Sequence, residues 1–215
     1  MVDAALQVPG LQVIPHAGGM LAGAQRMRIT PQWRAYVMPQ DQRIAQLTGQ
    51  PYGQAYFDGL LRDTSYTMDS APPITAMLAA MQLSGGSPRA GLAFHKRAQQ
   101  AHWLEGRRMA DEAVLLELAA ELGYEAEAFR TAFDVLSGSP TQQHMAQSRQ
   151  LLSQVDGSGF PTFALEAADG RMQLLSLGQF LGQPGAFAQA LAASARLPAP
   201  TGADLTCGPD GCALP

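Results

Sequence analysis

The stretch Gly157-Ser158-Gly159-Phe160-Pro161-Thr162-Phe163 decides the fold, because it joins a glycine-rich turn to an apolar run that begins with a proline. Proline has no backbone N–H to give to a sheet, so a strand that starts at Pro161 must hold it at its first residue or on an edge. Only X–Pro bonds adopt the cis form at low cost, and a turn between flexible glycines suits one. From these residues alone a trans bond is the commoner outcome, since about 5–6% of X–Pro bonds are cis.

The segments on either side of this stretch predict a small number of strands. Residues 163–167 and 172–177 predict two strands joined around Asp169-Gly170, a dipeptide typical of hairpin turns. Residues 11–15 predict a further short strand, and residues 2–7 the last turns of a helix. A closing helix is expected from Pro184 onward.

Residues 30–154, in contrast, predict helices throughout. Thr30-Pro31 is an N-cap followed by a first-turn proline, and Pro39 is expected to break or kink the helix that begins there. Residues 52–62 predict a short helix. The next helix carries a single apolar face, formed by Ile74, Met77, Leu78 and Met81.

Composition limits the classes of function. The chain has 215 residues and a formal net charge of −4, with no basic stripe, which argues against nucleic acid or an anionic membrane surface as partner. No uninterrupted apolar run reaches about 18 residues, so no membrane span is expected. Two cysteines are too few for a secreted disulfide framework, and we expect a cytoplasmic protein.

Several short motifs resemble the DsbA family of thioredoxin-fold proteins, in its FrnE-like branch. The most specific is Gly159-Phe160-Pro161-Thr162-Phe163, which resembles the cis-proline loop of that family. Weaker matches are His16-Ala17-Gly18-Gly19-Met20, Gln46 to Gly49 before Tyr52, Met68-Asp69-Ser70, and Ala101-His102-Trp103-Leu104-Glu105-Gly106. The resemblance covers nearly the whole chain and implies a cis bond before Pro161.

The fold implied by this resemblance is α/β, a thioredoxin-like fold of DsbA type with a large all-helical insertion. Residues 1–29 would be the N-terminal part of the thioredoxin-like domain and residues 30–155 the helical insertion. Residues 156–197 would form the remainder of the thioredoxin-like domain, with the cis-proline strand, the hairpin and a helix. Residues 198–215 would be a flexible tail.

The sequence departs from this family in one respect: the first core strand and the C-x-x-C pair of the family are missing. No cysteine precedes Cys207. An interior strand that is lost leaves unpaired backbone groups on its neighbours, so we expect that the natural product starts about 20 residues earlier. A truncated inactive relative, or a gap filled by rearrangement or by a partner's strand, are the competing interpretations.

The two cysteines, Cys207 and Cys212, form a C-x4-C within a turn-rich segment, where Pro209, Asp210 and Gly211 favour close approach of the sulfurs. A disulfide there would stabilise the fold by only about 2 kcal/mol, so it would be a poor staple. The resemblance implies an auxiliary redox pair, and two reduced cysteines without a role are the alternative. Two thiols without a nearby histidine do not make a zinc site, and the four histidines show no metal-binding spacing.

The resemblance implies a thiol–disulfide oxidoreductase or protein disulfide isomerase that needs no cofactor. Its partners would be the thiols and disulfides of proteins or peptides. Phe160, Pro161 and Thr162 would bind an extended substrate segment, and Cys207 and Cys212 would accept or relay electrons, with the principal nucleophile absent from this chain. Two alternatives stay open: a glutathione-dependent enzyme similar to the kappa-class transferases and hydroxychromene-carboxylate isomerases, and a non-catalytic peptide-binding module.

Overall fold

A computed structural model describes residues 1–196, which divide into two compact units. We call residues 14–148 the helical unit; the terminal unit consists of residues 1–13 and the residues from 149 onward. The last residue of the helical unit, Ser148, lies within a helix that runs into the terminal unit.

The helical unit contains α2 to α6 and most of α7, with a short two-stranded sheet. Met27–Arg28 (β1) pairs antiparallel with Thr67–Met68 (β2), a pairing that the all-helical prediction for residues 30–154 missed. A π-helical turn at Ala55–Gly59 and a 3-10 turn at Leu60–Arg62 stand where the short helix was expected. The helices are α2 (Pro31–Thr48), α3 (Ala71–Leu83), α4 (Pro88–Trp103), α5 (Glu112–Glu121), α6 (Ala126–Leu136) and α7 (Ser139–Gln154).

Helix α2 runs without interruption from Pro31 to Thr48, so of the break or kink expected at Pro39 the break is wrong. The helix begins with Thr30, whose side chain accepts a hydrogen bond from the N–H of Trp33, and ends at Gly49 in the left-handed conformation. Pro39 removes one helical hydrogen bond, at a cost of roughly 3 kcal/mol in a helix interior. The caps and the packing of Trp33, Val37 and Met38 against the core keep the helix intact through that position.

Helix α3 is the centre of the helical unit. It is apolar around its circumference, and Ala76, Ala79 and Ala80 are fully buried, which lets neighbouring helices approach closely. Around it pack α4, α5 and α6, where the rings of Phe94 and Phe129 stack at 5.7 Å. Small side chains on the central helix and large ones on its neighbours therefore fill one common core.

A second core in the helical unit encloses a polar pair. The hydroxyl of Tyr56 donates a hydrogen bond of 2.8 Å to Asp41 Oδ2, and both residues are buried. Burial raises the pKa of the Asp41 carboxyl above its ordinary value of 3.8, although the bond from Tyr56 opposes the shift. Folding therefore favours the protonated carboxyl, and the contribution of Asp41 to stability is lost as the pH rises from about 4 through the raised pKa.

The terminal unit contains α1 (Val2–Ala5), β3 (Ala164–Glu166), β4 (Met172–Leu174) and α8 (Pro184–Arg196). Its core is formed by Ala5, Val8, Phe187 and Leu191. Phe163 and Phe180 meet Phe187 with ring centroids at 5.7 and 5.6 Å, so α8 holds the start of β3 in place.

Residues 11–15 do not form the strand that we expected. Leu11 and Val13 pack against the core of the terminal unit, and burial alternates along the segment as in a strand. No strand of residues 1–196 pairs with it, and an extended segment without a partner makes no ladder. Residues 11–15 therefore show the alternating burial of a strand but no ladder of hydrogen bonds to another strand of residues 1–196.

We expect the substitution Tyr56→Phe to lower the free energy of unfolding at about pH 7 by about 1–3 kcal/mol, because it leaves the buried Asp41 carboxyl without its hydrogen bond. Thermal unfolding measures the loss. Tyr36→Phe is the matched control, since the Tyr36 side chain is exposed. Equal losses in the two variants would contradict the assignment of this bond as stabilising.

We expect Phe187→Ala to lower the free energy of unfolding by about 3–5 kcal/mol, because Phe187 is fully buried between two other rings. Urea titration gives the value. Leu181→Ala, at a half-exposed position of the same unit, should cost far less. A loss in Phe187→Ala no greater than in the control would mean that α8 does not hold the hairpin.

Candidate functional site

The turn before β3 presents two apolar residues to solvent. The peptide bond between Phe160 and Pro161 is cis, and both side chains are exposed. Below them Thr162 Oγ1 donates a hydrogen bond of 2.6 Å to the carbonyl oxygen of Gly159, which closes the turn. The Thr162 hydroxyl is thus used inside the turn, while the side chains of Phe160 and Pro161 are exposed among the described residues.

Strand β3 is paired along one edge. It pairs antiparallel with β4 in the register Ala164↔Leu174, Leu165↔Gln173 and Glu166↔Met172. The turn between the strands is closed by the N–H of Gly170, which has a positive φ of 80° and donates to the carbonyl of Ala167. This is the hairpin that Asp169-Gly170 predicted from the sequence.

The pairing determines which backbone groups face the second edge of β3. The N–H of Leu175 donates to the carbonyl of Phe163, and the N–H of Ala167 donates to that of Arg171. Hydrogen-bonded and non-hydrogen-bonded positions alternate along an antiparallel strand, so Ala164 and Glu166 direct their N–H and C=O groups away from β4. Among residues 1–196 no strand pairs with that edge.

The charged side chains of residues 157–174 all belong to the hairpin. Asp169 accepts hydrogen bonds from the backbone N–H and from Nε of Arg171, at 3.1 and 2.7 Å, and the side-chain bond is the main reason why the pKa of Asp169 is lowered. The side chain of Glu166 is exposed, and its backbone groups face the free edge of β3. The exposed turn itself, from Gly157 to Thr162, carries no charged side chain.

The structure describes three of the five predicted site residues. Phe160, Pro161 and Thr162 form one turn, whereas Cys207 and Cys212 lie outside the described residues. Within residues 1–196 no group of three or more histidine, cysteine, aspartate or glutamate side chains could hold a metal ion. None of the helices in that part of the chain has the length and apolar character to span a membrane.

Two histidines of the helical unit come together although 128 positions separate them. The rings of His16 and His144 are parallel within 7°, with centroids 6.5 Å apart. The backbone N–H of Ala17 donates a hydrogen bond of 3.1 Å to His144 Nε2. Sequence reasoning missed this pair because no local spacing relates the two positions.

His102 has one buried ring nitrogen that is unsatisfied within residues 1–196. Its ring lies 5.3 Å from that of Tyr56, and burial lowers its pKa to about 4, so it is neutral at physiological pH. Nδ1 finds no hydrogen-bonding partner among the described residues. Neutral and enclosed, His102 contributes to packing beside the Asp41–Tyr56 pair.

No protein family model matches the chain, and no curated protein sequence matches it. Solved structures do. A cytosolic disulfide reductase DsbM from Pseudomonas aeruginosa is 51% identical, with a TM-score of 0.83, over 91% of this chain and 89% of that one. The same reductase with GSH matches at 49% identity and a TM-score of 0.81, over 91% and 90% of the two chains.

A third structure, of a putative protein disulfide isomerase from Nitrosomonas europaea, is 19% identical with a TM-score of 0.63, over 81% of this chain and 79% of that one. It shows likeness of fold alone. The architecture is the DsbA-like thioredoxin fold with a helical insertion, as the sequence predicted. Half of the residues are shared with DsbM over nine-tenths of the chain, and the chain therefore belongs to the DsbM-type disulfide reductases of the DsbA family of thiol–disulfide oxidoreductases.

Proposed function

We propose that this protein reduces disulfide bonds in proteins or peptides with glutathione as the source of electrons, and that the substrate binds along the free edge of β3. The observation that carries the proposal is the free edge itself, since Ala164 and Glu166 offer backbone donors and acceptors that no strand of residues 1–196 uses. An extended peptide that adds to a sheet edge satisfies such groups.

The turn ahead of β3 supports the same mode of binding. Phe160 and Pro161 lie exposed next to the point where an added strand would end, and they offer apolar contact to the side chains of the substrate. Thr162 holds the turn closed through its bond to Gly159. Backbone pairing would supply affinity for many sequences, and Phe160 would favour substrates with an apolar residue beside the cysteine.

The family resemblance gives Cys207 and Cys212 an auxiliary role. Because the sequence contains no other cysteine, we propose that these two thiols carry out the exchange themselves. A Cys207 thiolate attacks one sulfur of the substrate disulfide, which forms a mixed disulfide and releases the other substrate sulfur as a thiolate that takes a proton. Cys212 then attacks Cys207 and frees the second substrate thiol. Two glutathione molecules reduce the Cys207–Cys212 disulfide and leave as glutathione disulfide, so two electrons and two protons reach the substrate.

The choice of glutathione as reductant rests on a relative of this protein. The Pseudomonas aeruginosa reductase is described as cytosolic, and one of its structures contains GSH. The cytoplasmic location that the sequence predicts for this protein agrees with that description, and a cytoplasm rich in glutathione supplies the reductant that the reaction needs.

With the full chain, we expect glutathione-dependent reduction of insulin to be at least tenfold faster than with glutathione alone. The double variant Cys207→Ser and Cys212→Ser should lose at least nine-tenths of this acceleration, because no other cysteine is present in the chain. Oxidation of NADPH by added glutathione reductase follows the formation of glutathione disulfide.

Each outcome decides between the candidate functions. No acceleration by the full chain would contradict the reductase proposal, and peptide capture without turnover would favour the binding module. Full activity in the double variant would show that a glutathione thiolate attacks the substrate directly, as in the glutathione-dependent alternative. The single variants then indicate which cysteine forms the mixed disulfide, since only the variant that keeps the attacking cysteine traps the substrate.

The binding edge has a test of its own. Ala164→Pro removes the N–H that faces the free edge but takes no hydrogen bond from the β3–β4 pairing. We expect it to lower kcat/KM for a protein disulfide about tenfold, which corresponds to roughly 1.4 kcal/mol. Ala164→Val adds bulk, keeps the N–H and is the matched control, with kcat/KM within about twofold of the parent.

Equal effects of the two substitutions would contradict binding through the backbone of Ala164. Hydroxyethyl disulfide provides the second comparison, because this small substrate has no peptide units with which to add a strand. A loss in Ala164→Pro that is as large for this substrate as for insulin would also contradict the proposal.

A further inference from the structure

The segment of residues 16–20 contacts helix α7 through a hydrogen bond from Ala17 and a close approach of Gly19. The backbone N–H of Ala17 donates to Nε2 of His144 at 3.1 Å. Gly19, with a φ of 64°, lies so close to the side chain of Met145 that a Cβ at this position would collide with the Met145 sulfur. Gly18 and Gly19 are buried, while His16 and Met20 are exposed.

The hydrogen bond requires one particular state of the imidazole. His144 Nε2 accepts from Ala17, so the nitrogen must carry a lone pair and the ring proton must be on Nδ1. A protonated imidazole has an N–H on both nitrogens and accepts no hydrogen bond. The N–H of Ala17 and the N–H at Nε2 would then face each other.

Helices α7 and α3 contribute no carboxylate that could compensate for a charge on His144. The titratable group facing it is His16, whose ring is parallel to it at 6.5 Å. Helix α7 carries Arg149 and no acidic residue, and α3, which bonds α7 through Thr75 and Thr141, carries no charged residue. The pair Arg26–Asp69, at 3.9 Å, lies at the far end of the loop, where Leu21 N–H donates to Ser70 Oγ.

We propose that His144 is a pH-responsive attachment point, which binds the backbone N–H of Ala17 when the imidazole is neutral and loses this bond when it is protonated. Burial, and to a smaller extent the neighbouring His16, lower the pKa of His144 below its ordinary value of 6.5. The attachment is present at neutral pH and is lost as the pH falls through the lowered pKa, because the released form binds the proton more tightly.

The test is amide hydrogen exchange of Ala17 in the full chain, followed by NMR between about pH 7.5 and pH 4.5, with each rate divided by the intrinsic rate at that pH. One hydrogen bond contributes about 0.5–1.5 kcal/mol, so we expect protection of Ala17 to fall about two- to twelvefold as His144 titrates. The imidazole carbon shifts of His144 give the midpoint in the same samples.

Two variants distinguish the proposal from general acid unfolding. His144→Gln keeps an acceptor at a similar reach but does not titrate, so Ala17 should remain protected across the whole pH range. His16→Gln removes the neighbouring charge, so the response should persist with its midpoint shifted to higher pH. Protection of Ala17 that falls equally in His144→Gln, or that stays constant while His144 titrates in the parent, would overturn the proposal.

Discussion

Backbone hydrogen bonding along β3 is the constraint on which the candidate site depends. Phe163 precedes β3 and Ala167 follows it, and the backbone of each is hydrogen-bonded to a residue on the β4 side. These bonds fix the register of the hairpin, so the backbone groups of Ala164 and Glu166 face the opposite edge. A hairpin of three-residue strands is not stable alone in water. It is held by Phe187 of α8, so the free edge is presented by a fixed support rather than by a mobile loop.

The parts of the fold that the sequence predicted well are those that short-range chemistry determines. Asp169-Gly170 set the hairpin, and Thr30-Pro31 set the first residue of α2, because in both places neighbouring residues satisfy the backbone. Pro39 shows the limit of such rules, since a local penalty of roughly 3 kcal/mol was outweighed by packing from Trp33 and Val37.

Contacts across long sequence separations escaped prediction for the same reason. The bond from Tyr56 to Asp41 and that from Ala17 to His144 leave no periodic or spacing signal, because each joins elements whose proximity is set by the fold. Residues 11–15 illustrate the converse. Their alternation of buried and exposed side chains is that of a strand, but pairing depends on a partner that the sequence of the segment does not specify.

In the function proposed here, recognition and electron transfer belong to different groups, which determines what each can select. Backbone groups of Ala164 and Glu166 recognise extended conformation rather than sequence, so they would admit many unrelated proteins. The thiols of Cys207 and Cys212 would respond to the accessibility of a disulfide and to the leaving thiolate. A substrate must therefore offer a disulfide within an extended segment that can reach a sheet edge. A folded protein with its disulfides buried in regular structure meets neither condition, so the enzyme would act on unfolded or misoxidised chains and leave the native disulfides of compact proteins intact.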